Sequence, residues 1–213
     1  MKSPLVEQDD VTSQILDMKN SFDRLSERYE ALFTLNQLLH ECSDINTFYR
    51  EVHHILASLM TASNFSIALY DRTFETINFV YHADDFSPLE NHETSLSDIK
   101  GTLTHYLIEH GKPVFFTNDS LRYLRQTGVI DSYDTNLVDW LGVPLVDQGI
   151  VIGIISVQTY EKIHRDLEQD LDLLNFIAQQ INSAISRFHD QVQLKRAVDA
   201  RTRELMAQIR ERE

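Results

Sequence analysis

Nine histidines and one cysteine are the residues from which metal or nucleophile chemistry would have to be built in this chain. None of the histidines stands at a metal-ligand spacing with cysteine or carboxylate partners. His53 and His54 are neighbours on a helical stretch and point to different faces, which predicts surface positions. His105 and His110 lie five apart on one helix, so their rings are not aimed at one ion. Cys42 closes an apolar helix, the usual place for a buried, inert thiol. No glycine-rich phosphate loop is present, because Gly149 and Gly153 belong to a hairpin. Serine, histidine and aspartate occur in any chain of this size, and their order alone defines no triad. No catalytic residue, metal ligand or cofactor is therefore assigned, and an enzyme is not expected within these 213 residues.

Composition narrows the partners. A formal net charge of −14 argues against nucleic acid or an anionic membrane, although Lys195, Arg196, Arg201 and Arg203 form a local basic patch. The lone cysteine excludes an intramolecular disulfide framework and fits a reducing cytoplasm. The longest apolar run, residues 150–157, is far short of the roughly 20 residues that span a bilayer. The N-terminus meets Glu7, Asp9 and Asp10 at once, so no signal peptide is expected, and the location expected is cytoplasmic.

The elements that would position any site are legible from spacing. All six glycines fall between Gly101 and Gly153, so a compact, turn-containing middle lies between two ends without helix breakers. A helix capped by Asp44 presents Phe48, Val52, Ile55, Leu56 and Leu59 on one face. Residues 64–71 and 75–83 read as a hairpin around Arg72-Thr73-Phe74, followed by an acidic loop over 84–95. Ser97 or Asp98 is expected to cap a helix ending at Gly111, and Asn118 or Asp119 a shorter one ending near Gly128, with a strand at 114–116 between them. Asp139 to Tyr160 reads as two antiparallel strands joined at Asp147-Gln148-Gly149. Gly142 and Gly153 interrupt those strands, which marks a close approach of backbone, ligand or packed helix.

The ends carry a different pattern. Val11, Ile15, Met18, Phe22, Leu25, Tyr29, Leu32, Asn36 and Leu39 follow alternating steps of four and three, the spacing of a coiled-coil seam. An asparagine at one seam position fixes register; the competing reading is a helix packed on its own domain, with a wider stripe. From Asp166 onward Leu167, Leu171, Leu174, Ile177, Ile181, Ile185 and Phe188 sustain one helical stripe. Beyond a phase change near Val192, the residues Leu194, Val198 and Leu205 share a second register suited to a two-stranded seam. The helix runs to residue 213 without a cap, from which a further domain beyond residue 213 is expected.

The order of elements, with Asn64-Phe65-Ser66-Ile67-Ala68-Leu69-Tyr70-Asp71, Asp139-Trp140-Leu141-Gly142-Val143-Pro144-Leu145, Val157-Gln158-Thr159-Tyr160 and Leu174-Asn175-Phe176-Ile177-Ala178-Gln179-Gln180-Ile181, resembles a GAF domain over residues 32–187. It is most similar to the sensors placed ahead of diguanylate cyclase (GGDEF), phosphodiesterase (EAL) or histidine kinase modules. The resemblance implies an α+β fold: an antiparallel sheet with helices on one face, flanked by long N- and C-terminal coiled-coil helices. The division expected is a coiled coil over residues 1–40, the GAF domain over 41–187 and a signalling helix over 188–213. It implies a ligand pocket on the other face, lined by Ser66, Ala68, Tyr70, Trp140, Gly142 and Gln158 with Tyr81 or His82; filling of that space by a second minicore is the alternative. The family's Asn-Lys-x-x-Phe-x-x-x-Asp-Glu cyclic-nucleotide pattern is missing, and Cys42 lies outside the region where a bilin would attach. The partners implied are a second copy, a covalently linked output domain of cyclic-di-GMP metabolism and a small-molecule effector. The alternatives are a ligand-free dimerisation module and the sensor of a histidine kinase.

Overall fold

The computed structural model describes residues 15, 18–19, 22, 25–26, 29–31, 33–38, 41–42, 44–84, 93–163 and 165–210. The chain divides into two compact units, residues 1–41 and 42–213. In the first unit Ile15, Met18, Phe22, Leu25, Tyr29 and Asn36 are all helical. The five apolar residues of that set are each more than half exposed. Val11, Leu32 and Leu39 lie outside the described residues.

The second unit is a six-stranded antiparallel sheet in the order β3-β2-β1-β6-β5-β4, with helices on both faces. Helix α1 (Ile45–Leu59) opens on Asp44, whose carboxylate accepts from the Thr47 amide at 2.8 Å. That bond holds the Asp44 carboxyl below its ordinary range. Strands β1 (Asn64–Asp71) and β2 (Thr76–Ala83) form the expected hairpin, its turn tied by Asp71 accepting from the Thr73 and Phe74 amides. Strand β3 (Glu93–Ser95) pairs with β2 at the sheet edge, inside the stretch read as loop. Three polar residues carry too little alternation to signal a strand.

Helix α2 (Leu103–His110) starts later than the Ser97 or Asp98 cap predicts. The chain first turns through residues 96–101, and Gly101 has φ 75°, a left-handed setting that no helix continues through; Thr102 is the cap. After β4 (Val114–Thr117), helix α3 (Asn118–Gln126) is capped by Thr117 in a reciprocal pair with Ser120, ahead of both Asn118 and Asp119, the caps expected. Strands β5 (Asp139–Asp147) and β6 (Ile150–Thr159) meet in a two-residue turn, with φ 48° at Gln148 and 81° at Gly149. Positive φ at both positions is the I′ geometry that suits the twist of a hairpin.

Period-two alternation sorts the strands into two faces. Phe65, Ile67, Leu141, Val143, Leu145, Ile155 and Val157 are buried on the face covered by α1 and α4 (Leu167–Arg210). Ala68, Ile77, Trp140 and Ile154 pack on the other face against Leu103, Leu107 and Ile108 of α2 and Leu121 of α3. Helix α4 changes character along its 44 residues, about 66 Å. Leu173, Leu174, Ile177, Ala178, Ile181 and Ala184 are buried, whereas Val192, Leu194, Val198, Leu205 and Met206 are exposed.

A buried charge cluster fixes the root of α4. Arg165 donates from Nε to both carboxylate oxygens of Asp139 at 3.0 Å, and from Nη1 to Asp170 at 3.2 Å and to the Thr61 carbonyl at 3.3 Å. The side chains of Arg165 and Asp139 are 4% and 8% exposed. Further along, Asn182 donates to the Val146 carbonyl at 3.0 Å. Among the described residues no helix is long and apolar enough to cross a membrane.

Candidate functional site

The strand pairings bring six of the seven predicted pocket residues onto one sheet face. Ser66 stands opposite Ser156, which stands opposite Gly142; one step along, Gln158 stands opposite Trp140. Ala68 and Tyr70 continue the same parity along β1. Tyr81 does not join them. A bulge between Ile67 and Ala68 sets Ile67 opposite Tyr81 and Ala68 opposite Phe79, so Val80 is the extra residue and parity flips beyond it. Tyr81 therefore turns to the α1 face, 5.6 Å from the His53 ring centroid and 6.0 Å from that of Phe65. His82, opposite Ser66, takes the pocket side.

That packing also corrects the surface placement of His53. Its Nδ1 lies 2.8 Å from the Tyr81 hydroxyl and its Nε2 2.7 Å from the Ala62 carbonyl. A ring donating to a carbonyl from Nε2 and accepting from a phenol at Nδ1 is neutral, and burial pushes its pKa down. Burial likewise pushes the Tyr81 phenol up.

Next to the Trp140 ring the site face is tightly filled. A Cβ at Gly142 would lie 2.3 Å from the Trp140 indole and 2.8 Å from a Leu107 methyl. Gly142 thus accommodates the tryptophan ring and α2. Phe116 lies parallel to the indole, at 6.4 Å between centroids. Polar groups follow in order across the strands. Ser66 and Ser156 share a buried hydroxyl–hydroxyl bond of 2.8 Å. Gln158 donates to Asp84 and to the Tyr160 hydroxyl, and that hydroxyl donates to Asp84 at 3.0 Å. Burial, with the adjacent Asp84 carboxylate, pushes the Tyr160 phenol well up, so it stays a donor throughout the physiological range.

At the hairpin end of the same face the helices leave room. A cavity of about 340 Å³ opens between the β1–β2 turn, α2 and the β5–β6 turn. Tyr70 and Arg72 come from the end of β1 and its turn, His105, Ile108 and Glu109 from α2, and residues 149–151 from the second turn and the start of β6, with Leu96 closing the side. His105 Nδ1 is 3.9 Å from Glu109, and Arg72 has no ion-pair partner among the described residues. Of the predicted set only Tyr70 reaches this cavity. No spacing signals Arg72 together with His105 and Glu109, because the first lies in the β1–β2 turn and the other two on α2. The i,i+2 spacing of Gln158 and Tyr160, which gives them one parity, is the signal in the sequence for their pairing.

Among the described residues no group of histidine, cysteine, aspartate or glutamate could hold a metal ion. His110 stacks on Tyr106 at 3.9 Å and bonds its carbonyl at 2.8 Å, facing away from any partnership with His105.

Solved structures of like shape have low sequence identity. The GAF domain of a phosphoenolpyruvate-protein phosphotransferase from Acinetobacter superposes with a TM-score of 0.60 at 15% identity, covering 78% of this chain and 96% of that one. A methyl-accepting chemotaxis protein fragment gives 0.58 at 19%, covering 75% and 98%. The phycoerythrobilin-bound GAF domain of a cyanobacterial phytochrome gives 0.57 at 11%, covering 76% and 96%. No curated protein matches the chain. The family profile described as "GAF domain" matches residues 44–185, the span that builds the sheet and both of its cores. With most of its length under that match, this chain belongs to the GAF domain family.

Proposed function

We propose that the chain is a cytoplasmic, non-catalytic regulatory module that forms a parallel homodimer through its terminal helices. It passes a ligand-dependent signal along α4 to an output domain after residue 213. The observation that carries this reading is the split character of α4. One rod is seated on the sheet through Leu174, Ile177 and Ile181, then exposes Leu194, Val198 and Leu205 at seam spacing. A second copy is the occupant that a heptad stripe suits, and Ile15, Met18, Phe22, Leu25 and Tyr29 offer a matching stripe at the other end. The ligand face is that of Ser66, Ala68, Tyr70, Trp140, Gly142 and Gln158. A ligand acts by favouring one helix arrangement over another, and couplings of about 1–3 kcal/mol are typical. The output is of the cyclic-di-GMP-metabolising kind, an assignment supported by the likeness of residues 197–205 to the signalling helices ahead of such domains.

Sedimentation of the chain tests the assembly. A dimer mass is expected, falling to the monomer when Phe22 and Leu25, or Leu194 and Val198, are changed to glutamate. An unchanged mass removes that seam. A Val198→Cys variant in a Cys42→Ser background should crosslink to its own equivalent if the helices run parallel. The filled space beside Trp140 favours a second reading, a dimerisation module without ligand; the absence of any thermal shift across metabolites would support it.

A further inference from the structure

We infer that the cavity at the hairpin end of the site face is the effector site, and that it takes a small zwitterion with a branched apolar side chain, an aliphatic α-amino acid. This rests on the regulatory reading above and names its ligand class. The cavity, about 340 Å³, has room for a molecule of that size. Its walls divide by chemistry. Leu96, Ile108 and Val151 supply an aliphatic side, and Ile108 belongs to the same core as Trp140. Arg72 and Glu109 supply opposite charges from different elements, and no ion pair joins them across the cavity. An arginine presents a planar pair of donors suited to a carboxylate, and a glutamate accepts from an ammonium. An arrangement that satisfies both and buries apolar surface is a carboxylate at Arg72, an ammonium at Glu109 and a side chain on Ile108 and Val151. His105, 3.9 Å from Glu109, faces the same space.

Placement makes the site suited to control. Arg72 lies in the β1–β2 turn and Val151 in the first residues of β6, directly after the turn beside the carbonyl of Val146 that Asn182 of α4 grips. Drawing α2 and the two turns together around a ligand bears on that grip, and so on the setting of the long helix.

Calorimetric titration of the 213-residue chain tests the assignment, with L-leucine, L-isoleucine and L-valine as probes. 4-Methylpentanoate (no ammonium) and 3-methylbutylamine (no carboxylate) serve as the one-charge controls. At least one amino acid should bind, with each control weaker by about tenfold or more. Arg72→Ala and Glu109→Gln should each weaken that amino acid by a similar factor, and both are surface changes that leave folding intact. No binding by any amino acid overturns the proposal, as does binding that the two variants leave unchanged. Equal binding of 4-methylpentanoate overturns the zwitterion. A chain that sediments as a dimer yet binds none of these leaves the transmission reading standing; a monomer that binds leucine refutes that reading and keeps this one.

Discussion

Replacing Arg165 with alanine removes the one cation among the described residues that reaches Asp139, Asp170 and the Thr61 carbonyl together. Breaking a buried pair leaves an uncompensated charge, and such changes cost about 3–5 kcal/mol. In a domain of this size that corresponds to a fall in Tm of about 6–20 °C. Urea unfolding followed by the fluorescence of Trp140, the chain's only tryptophan, reads the cost from within the core. The exposed Arg122–Asp119 pair is the control, since Arg122→Ala should cost about 0–1 kcal/mol. Acidity gives a second reading. Burial already pushes the Asp139 carboxyl up, against the opposing pull of Arg165. Without Arg165 it rises further. A carboxyl whose folded value exceeds its unfolded one favours the fold at low pH and loses that contribution as pH rises through the folded value. The deficit of the variant should therefore shrink from neutral toward acid pH. A loss below about 1 kcal/mol, the range of exposed pairs, or a deficit that grows toward acid, would refute the role given to this cluster.

Further predictions follow from the same packing. Gly142→Ala should destabilise by about 1–3 kcal/mol and disturb Trp140 emission, because its Cβ meets the indole at 2.3 Å; wild-type stability in the same urea titration would contradict that contact. Ser66→Ala and Ser156→Ala should each cost about 1–3 kcal/mol by stranding the other hydroxyl, while the double variant recovers most of it; strict additivity would mean the two do not share a bond. Stability should fall as pH drops below about 6.5, where an unfolded histidine takes a proton that folded His53, with its depressed pKa, resists. His53→Gln should flatten that slope, and an unchanged slope would assign it to other groups.

Spacing alone places most of the unit. The hairpin at Gln148-Gly149, the stop at Gly111 and the stripe from Leu174 to Ile181 follow from local turn chemistry and period, which act within a few residues. What spacing misses depends on contacts between distant segments. The parity flip at Val80 cannot be seen in β2 alone, and it moved Tyr81 from the ligand face to His53. The short edge strand Glu93–Ser95 is polar and exists only because β2 offers it a partner. Thr102 and Thr117 displaced nearby residues of equal capping power, a choice set by Gly101 and by Ser120. The six residues sharing a face were legible from alternation, yet the open volume beside them was not. Whether a face is filled depends on where α2 lands, and Arg72 lines one cavity with His105 and Glu109 only after it has done so.

Among the described residues the long helix is fastened to its own unit by Arg165 at Asp170, by the Val146 carbonyl at Asn182 and by Arg187 at the Cys42 carbonyl, stations spread over about 25 Å of its axis. A rod pinned at several stations cannot roll freely: a twist delivered to its far half must strain or release one of the fastenings. The bare stretch past Val192 therefore leaves the unit at the angle those pins set.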